Sequence, residues 1–324
     1  MARKNLTAAD CATNPLLRAL LHFTAHLLHN RNRAATVLQA VPPSPCVVGY
    51  NQHAKSNGIK YETYGCPFVT PGAAGATFRL YDMKIVGTLT AVTKKTNYIQ
   101  LFQTDTMKLD NVNSFFWDYS KVSGVTGETG CWCYKVSDET TGQVANEEVP
   151  HNVTFPAGTA FLFNCPTDNK NVGLQFNGQV FVPTPDEDGY ISISKVVGLS
   201  EAKYILFSNP FPVEITLADM KVGGTLTAVT KKTNYIQKFQ TASPKLDNVK
   251  SYFWDYNKTS AVSGTKGCWC YKVSDTTTGQ AANAEVLNAA EIIIAPGEGF
   301  FFNTPTLNQN VCIKIKVPAS IQSL

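Results

Sequence analysis

The stretch GCWCYKVSD occurs at Gly130–Asp138 and again, letter for letter, at Gly267–Asp275. In an extended strand, successive side chains point to opposite faces. The two cysteines of each copy therefore share one face, while the tryptophan and the tyrosine share the other. This alternation predicts a two-faced β-strand that the chain uses twice.

The doubled strand belongs to a longer internal repeat. DMKIVGTLTAVTKKTNYIQ begins at Asp82 and DMKVGGTLTAVTKKTNYIQ begins at Asp219, and the alignment continues through KLDNV, FWDY and TTGQ. Each copy spans about 115–125 residues, a usual size for a single domain. The connector VPTPDEDGYIS is typical of a domain boundary because it combines prolines, acids and a glycine. We predict an N-terminal segment (1–57), a first module (58–182), a linker (183–200) and a second module (201–324).

Within each copy, short aromatic or β-branched runs such as NYIQLFQ, SFFWDY and AFLFN alternate with turn sequences. Strands of about five residues at about ten-residue spacing are typical of an antiparallel sandwich or a small barrel. The sequence therefore predicts an all-β protein of two tandem antiparallel β-sandwich modules, jelly-roll or immunoglobulin-like. A short helical or extended segment precedes them.

The N-terminal segment contains NPLLRALLHFTAHLLH (Asn14–His29), followed by the proline-rich VPPSPC. Its leucines lie near helical spacing, but Arg18 and two histidines interrupt the apolar run that a secretion signal requires. An amphipathic helix that docks on another surface is one interpretation. An atypical targeting segment and a start codon placed too early are the others, so whether residues 1–40 are retained stays open.

Composition narrows the class of protein. Only 16% of the 324 residues are charged and the formal net charge is +4, and no Lys/Arg run reaches the density of a nucleic-acid footprint. No stretch has the roughly 18 uncharged apolar residues that a membrane-spanning helix needs. We expect neither nucleic-acid binding nor a transmembrane segment.

Two turn sequences carry a family resemblance. SNPFPVEITLADM (Ser208–Met220) and IAPGEGFFFNT (Ile294–Thr304) resemble the opening and closing turns of a β-sandwich module common in extracellular bacterial proteins. The first copy departs from this pattern, with Cys66-Pro67-Phe68 at the opening turn and Ala157–Phe161 at the closing one. The resemblance implies surface or matrix modules that present strands and loops, and it implies no catalytic role.

No repeated set of residues has the pattern of an active site. None of the five histidines falls at a position that both copies share. The shared carboxylates are Asp82/Asp219, Asp110/Asp247, Asp118/Asp255 and Asp138/Asp275, and those in turn-like sequences are typical of caps on backbone amides. A phosphate-binding loop and a dinucleotide fingerprint are both absent from the sequence. We predict a protein that is not an enzyme, with no cofactor and no metal site.

The cysteines leave three interpretations open. The candidates for disulfides are Cys131, Cys133, Cys165, Cys268, Cys270 and Cys312. The thiols could be small buried hydrophobic groups, or one cysteine of each pair could form a disulfide within a module or between subunits. Zinc is the third interpretation, although each module offers fewer than the four ligands of a structural site.

The aromatic residues on neighbouring strands form a second candidate site. They are Trp117, Trp132 and Tyr134 in the first copy and Trp254, Trp269 and Tyr271 in the second. If they point inward they are core. If they point outward they form a platform for sugar rings or for another subunit, because exposed aromatic patches mark interaction sites.

The leading hypothesis is a non-enzymatic structural protein that self-assembles, as a homo-oligomer or polymer, through strand edges or the N-terminal arm. We expect it in an extracellular or cell-surface assembly, or as a virion component. The alternative is a pair of carbohydrate-binding modules that use the aromatic platform.

Overall fold

The computed structural model describes residues 37–39, 47–53, 61–73, 76–90, 97–103, 108–164, 170–193, 204–227, 234–240, 245–305 and 308–324. The predicted helix at Asn14–His29 lies outside these residues.

The described residues of the first half of the molecule form thirteen strands. They are β1 (Val37–Gln39), β2 (Val47–His53), β3 (Tyr61–Gly65), β4 (Phe68–Val69), β5 (Thr77–Arg79), β6 (Met83–Thr88), β7 (Tyr98–Phe102), β8 (Leu109–Val122), β9 (Thr129–Tyr134), β10 (Thr154–Pro156), β11 (Ala160–Asn164), β12 (Lys170–Phe176) and β13 (Gln179–Val180). A 3₁₀ turn at Leu80–Asp82 joins β5 to β6.

The described residues of the second half form ten strands and one short helix. They are β14 (Tyr190–Ile193), β15 (Tyr204–Ser208), β16 (Ile215–Thr216), β17 (Met220–Thr225), β18 (Tyr235–Phe239), β19 (Leu246–Thr259), β20 (Lys266–Tyr271), β21 (Ile293–Ile294), β22 (Gly299–Asn303), β23 (Gln309–Lys316) and α1 (Ala319–Gln322). Two 3₁₀ turns lie at Leu217–Asp219 and Ala289–Glu291.

Each half contains a five-stranded antiparallel sheet with the same strand order. The order is β3-β11-β7-β8-β9 in the first half and β15-β22-β18-β19-β20 in the second. Equivalent residues of the repeat occupy equivalent positions, since Trp117 pairs with Trp132 and Trp254 pairs with Trp269. The predicted all-β class is confirmed, and the doubled strand forms one edge of each five-stranded sheet.

Each half also contains a smaller sheet. Its order is β1-β2-β12-β6 in the first half and β14-β23-β17 in the second, with two-stranded pairs β10-β5, β13-β4 and β16-β21 beside them. Part of the predicted N-terminal segment, 47–53, and part of the predicted linker, 190–193, are therefore strands of these sheets.

A separate apolar cluster fills each half. The first includes Phe78, Trp132 and Phe161, and the second includes Trp269 and Phe300, all buried. A third cluster contains residues of both halves, among them Leu162 of β11 and Phe301 of β22. The two five-stranded sheets therefore contact each other through the faces that point away from their own cores.

Candidate functional site

The doubled strand is held in the same register in both halves. Phe116 lies opposite Cys133 and Asp118 lies opposite Cys131 on the neighbouring β8. The second half repeats these pairs, residue for residue, between β19 and β20. The glycine before the first cysteine has a positive φ in both copies, +102° at Gly130. A Cβ at Gly130 would come within 2.7 Å of the Trp117 ring, so the tryptophan pair requires glycine there.

The Trp-Tyr face of the strand points into the core. Trp132 is 0% exposed and Trp269 is 3% exposed. Their indole N–H groups donate hydrogen bonds to the backbone oxygens of Met83, at 2.7 Å, and of Met220, at 2.8 Å. Each indole therefore links the five-stranded sheet to the smaller sheet and has its polar atom satisfied, as a buried tryptophan requires.

The predicted platform for sugar rings needs exposed aromatic faces, and the structure covers them. Trp117 is buried and packs edge-on against Trp132 with 5.3 Å between ring centroids. Trp254, Tyr134 and Tyr271 are half-buried and pack against the core clusters of their own halves. The six residues are brought together as two core clusters, because the strand alternation places them on the face that meets the smaller sheet.

The thiol face points the other way and is buried as well. Cys131 and Cys133 cluster with Tyr98 and Phe116, and their Sγ atoms lie 3.8 Å apart. The Sγ atoms of Cys268 and Cys270 lie 3.9 Å apart. Burial raises the pKa values of Cys131 and Cys268 from 9.0 to about 12. These thiols are therefore protonated and unreactive at neutral pH.

The predicted disulfides are not formed among the six cysteines that the structure describes, all of which are buried with free thiols. Within each pair the reason is geometric, because two residues on one face of an extended strand hold their Cα atoms at the limit of the span that a disulfide allows. Cys312 is also buried and free. Cys165 lies outside the described residues.

Metal binding finds no support in the described part of the chain. No three His, Cys, Asp or Glu side chains converge there in a way that could hold an ion. Each dithiol pair supplies two of the four ligands that structural zinc requires. The interpretation that the geometry favours is small apolar groups packed against aromatic rings.

Two equivalent glutamates that pair with the cysteine strands close the hairpin loops. Glu148 accepts hydrogen bonds from the Ser123 hydroxyl, from the Gly124 amide at 2.7 Å and from the Tyr81 hydroxyl at 2.6 Å. Burial opposes the ionised form, but these donors hold the pKa of Glu148 below its ordinary value. Glu285 repeats the arrangement with the hydroxyl of Ser260, at 2.5 Å. The carboxylates therefore organise loops.

The shared aspartates also act locally. Asp110 accepts hydrogen bonds from the backbone amides of Val112 and Asn113, at 2.9 and 3.2 Å. Asp118 does the same for Ser120 and Lys121, at 3.0 and 3.1 Å. Each carboxylate accepts hydrogen bonds from amides of its own turn or bulge. For Asp110 this is the role that its turn-like sequence predicts.

Sequence reasoning missed a repeated lysine contact on the thiol face. Lys135 Nζ lies 3.6 Å from the centre of the Tyr98 ring, and Lys272 Nζ lies 3.4 Å from that of Tyr235. Burial lowers the pKa of Lys272 to about 8. Both lysines directly follow the tyrosine of CWCY, so their repetition in the two copies was the available signal. The sequence does not indicate which aromatic ring each lysine contacts.

A scan against protein-family models, a search of curated proteins and a search of solved structures each return no match. Among the described residues, the structure contains no helix with the length and apolar character needed to span a bilayer. The proposals for this chain therefore rest on its own geometry.

Proposed function

We propose that this chain is a non-enzymatic structural protein, built as two tandem β-sandwich modules, that self-assembles into a surface or particle assembly. The repeated residues support this proposal because they are framework. Both copies of the doubled strand are buried on both faces, and the repeated acids cap turns and loops. Among the residues that the structure describes, neither copy therefore has a repeated cleft of reactive groups.

The sandwich arrangement is supported by the composition of the two main cores. In the first half, Trp132 and Phe161 of the five-stranded sheet share a cluster with Leu174 of the smaller sheet. In the second half, Trp269 shares a cluster with Ile313. Side chains from two facing sheets that interdigitate in one core are what a β-sandwich requires.

A difference between the two smaller sheets carries the proposal of self-assembly. In the first half, β2 pairs with β12 on one side and with β1 on the other. In the second half, β14 occupies the position of β2 and pairs with β23. Within the described ranges, β14 has no strand on its other side. An open strand edge is a template for adding a strand from another chain.

A groove lies beside β14 and extends across both halves. Its volume is about 920 Å³ and its lining is largely apolar, including Phe102, Phe181, Tyr190, Ile191 and Leu206. An added strand gains main-chain hydrogen bonds from the edge, and pockets next to the edge receive its side chains.

The N-terminal arm of a second copy is the occupant we infer for this edge. The arm supplies β1, which already occupies the matching position beside β2 in the first half. Because β12 and β23 are equivalent in the repeat, the β14 edge is the structural counterpart of that position. An arm that leaves β2 of its own chain and pairs with β14 of the next molecule would join copies head to tail, and such heterologous contacts build filaments or rings.

The decisive experiment compares the full chain with a chain that lacks residues 1–46, by size-exclusion chromatography with light scattering over a range of concentrations. The full chain should grow in mass with concentration, while the truncated chain should stay a monomer. A synthetic peptide of residues 34–45 should bind the truncated chain at two sites, beside β2 and beside β14, and should inhibit assembly of the full chain. A full chain that is monomeric at every concentration, or a truncated chain that assembles equally well, would overturn the proposal.

A further inference from the structure

The contact between the two five-stranded sheets has the form of a two-fold pair. The amide of Gly65 donates to the oxygen of Gly297, and the amide of Ser208 donates to the oxygen of Gly158, each at 2.8 Å. The repeat equates Gly65 with Ser208, through KYETYG (60–65) and KYILFS (203–208). It equates Gly158 with Gly297, through PAGTAF (156–161) and APGEGF (295–300). These two hydrogen bonds between the halves are therefore counterparts of each other, running in opposite directions.

The bridges between strands follow the same rule. Tyr64 forms an isolated antiparallel bridge with Glu298, and Thr159 forms one with Phe207. Tyr64 is equivalent to Phe207, and Thr159 is equivalent to Glu298. A reciprocal set of this kind defines an isologous interface, in which one surface meets another copy of itself.

Contacts between equivalent residues locate the axis. The rings of Phe102 and Phe239, which are equivalent, lie 5.6 Å apart between centroids. A residue meets its own equivalent only at a two-fold axis. Phe301 of the second half lies 5.4 Å from Phe102, and its equivalent in the first half, Leu162, belongs to the same cluster as Phe239.

Two further equivalent pairs lie at the axis, and each contains one glycine. A Cβ built on Gly65 would lie 2.1 Å from the backbone oxygen of Thr159 in its own half, and 2.2 Å from the Oγ and 3.1 Å from the Cβ of Ser208 in the other half. A Cβ built on Gly299 would lie 2.4 Å from the backbone oxygen of Phe207 in its own half, and 3.1 Å from the Cβ of its equivalent, Ala160, in the other half. Two second halves would bring Ser208 against Ser208, and two first halves would bring Ala160 against Ala160. Only the pairing of unlike halves places a glycine in each pair.

We propose that this face is a pairing surface for the complementary half of the same protein, in its own chain or in a second copy, and that Ser208 and Ala160 exclude like halves. The surface is apolar, with Leu162, Leu206, Phe239 and Phe301 at its centre, so it provides affinity without specificity. Steric conflict at the axis then supplies the discrimination, since specificity is achieved by penalising the wrong partner. This proposal does not depend on the open edge of β14.

The test uses the full chain with a protease site inserted between Val182 and Pro183, cut after folding. Unlabelled and ¹⁵N-labelled preparations are mixed in dilute urea. Incubation continues until unlike pairs with one labelled and one unlabelled half appear, which proves that the halves exchange. Native mass spectrometry then counts the pairs. We expect unlike pairs to exceed either like pair by at least tenfold, with pairs of second halves the rarest.

Ser208→Gly is the variant that decides the role of the axis. It removes the Ser208 conflict, so pairs of second halves should rise at least tenfold over the parent cut chain. Phe239→Asp should abolish every pair that contains the second half, and Val262→Asp, at a 68% exposed hairpin position, should change nothing. Like pairs as abundant as unlike pairs in the parent chain, halves that separate as monomers, or no rise with Ser208→Gly would each overturn the proposal.

Discussion

The two halves share an identical framework strand but hold their opening turns by different chemistry. In the second half, the Asn209 side-chain amide donates to the oxygens of Val213, at 2.8 Å, and of Ile294 and Ala295, each at 3.3 Å. In the first half, Cys66 stands at this place, fully buried, and burial raises the pKa of its thiol. The same turn is therefore stabilised by polar contacts in one copy and by an apolar side chain in the other.

The comparison teaches where duplicated sequence is constrained. The residues on β9 and β20 touch the core on one face and an aromatic cluster on the other, so a change on either face leaves a cavity or a clash. The opening turn only has to fill space and satisfy a few backbone oxygens, which several side chains can do. The following predictions test this division, starting with the largest expected effect.

Trp132→Ala and Trp269→Ala should be equally damaging. Each removes a fully packed indole and leaves a backbone oxygen without its donor, so each should lower the free energy of unfolding by about 3–5 kcal/mol. Urea denaturation measures the loss. Trp→Phe at either position should lose less, because it keeps most of the buried surface. A near-neutral Trp269→Ala would show that the two copies of the strand are not equivalent frameworks.

Alkaline pH should destabilise both halves through the same pair of thiols. The pKa values of Cys131 and Cys268 are raised from 9.0 to about 12, so the folded chain keeps protons that the unfolded chain releases. Their stabilisation is complete below pH 9 and is lost as the pH rises towards 12. Between pH 8 and 10 the free energy of unfolding should fall by about 1 kcal/mol for each thiol.

Urea midpoints at the two pH values, for the parent and for Cys131→Ala and Cys268→Ala, check this prediction. Each substitution should reduce the loss in free energy of unfolding between the two pH values by the same amount. Lys272, whose pKa burial lowers to about 8, acts in the opposite direction and is common to every variant. A loss of stability at alkaline pH that neither substitution reduces would show that these two thiols are not its cause.

Asn209→Ala should cost more than Cys66→Ala. The first removes the side-chain amide that donates to three backbone oxygens and should lower the free energy of unfolding by about 2 kcal/mol. The second removes one small apolar group and should cost about 1 kcal/mol. Asn209→Cys copies the first half and should fall between the parent and Asn209→Ala. Thermal or urea unfolding measures the series, and equal losses for Asn209→Ala and Asn209→Cys would contradict the role given to the amide.

Glu148→Ala should cost slightly more than Glu285→Ala. Glu148 accepts an additional hydrogen bond from Tyr81, whose place Ala218 takes in the second half. The difference should be about 0.5–1 kcal/mol in the free energy of unfolding. Tyr81→Phe should make the two losses equal, and a difference that persists in the Tyr81→Phe background would assign it to another contact.

The sequence predicted the parts of this structure that depend on local pattern. Alternation placed thiols and tryptophans on opposite faces, and the repeat implied two equivalent sheets. It did not show that both faces are buried, because the second face is covered by Tyr98 and Phe116 from neighbouring strands. It also did not show that β2 and β14 belong to the modules, since VVGYNQH and YISI share no pattern that an alignment detects. The contacts between the two halves could not be predicted either, because they depend on how two separate sheets pack against each other.

A double-mutant cycle on Phe102 and Phe239 tests most directly whether the two copies form one paired framework. Phe102→Ala, Phe239→Ala and the double variant are compared by equilibrium unfolding in urea. The rings lie 5.6 Å apart across the axis, so the account predicts a coupling energy of about 0.5–1.5 kcal/mol. Phe155 and Phe302, which belong to separate cores, should show none. A coupling of zero between Phe102 and Phe239 would contradict the pairing of the two halves.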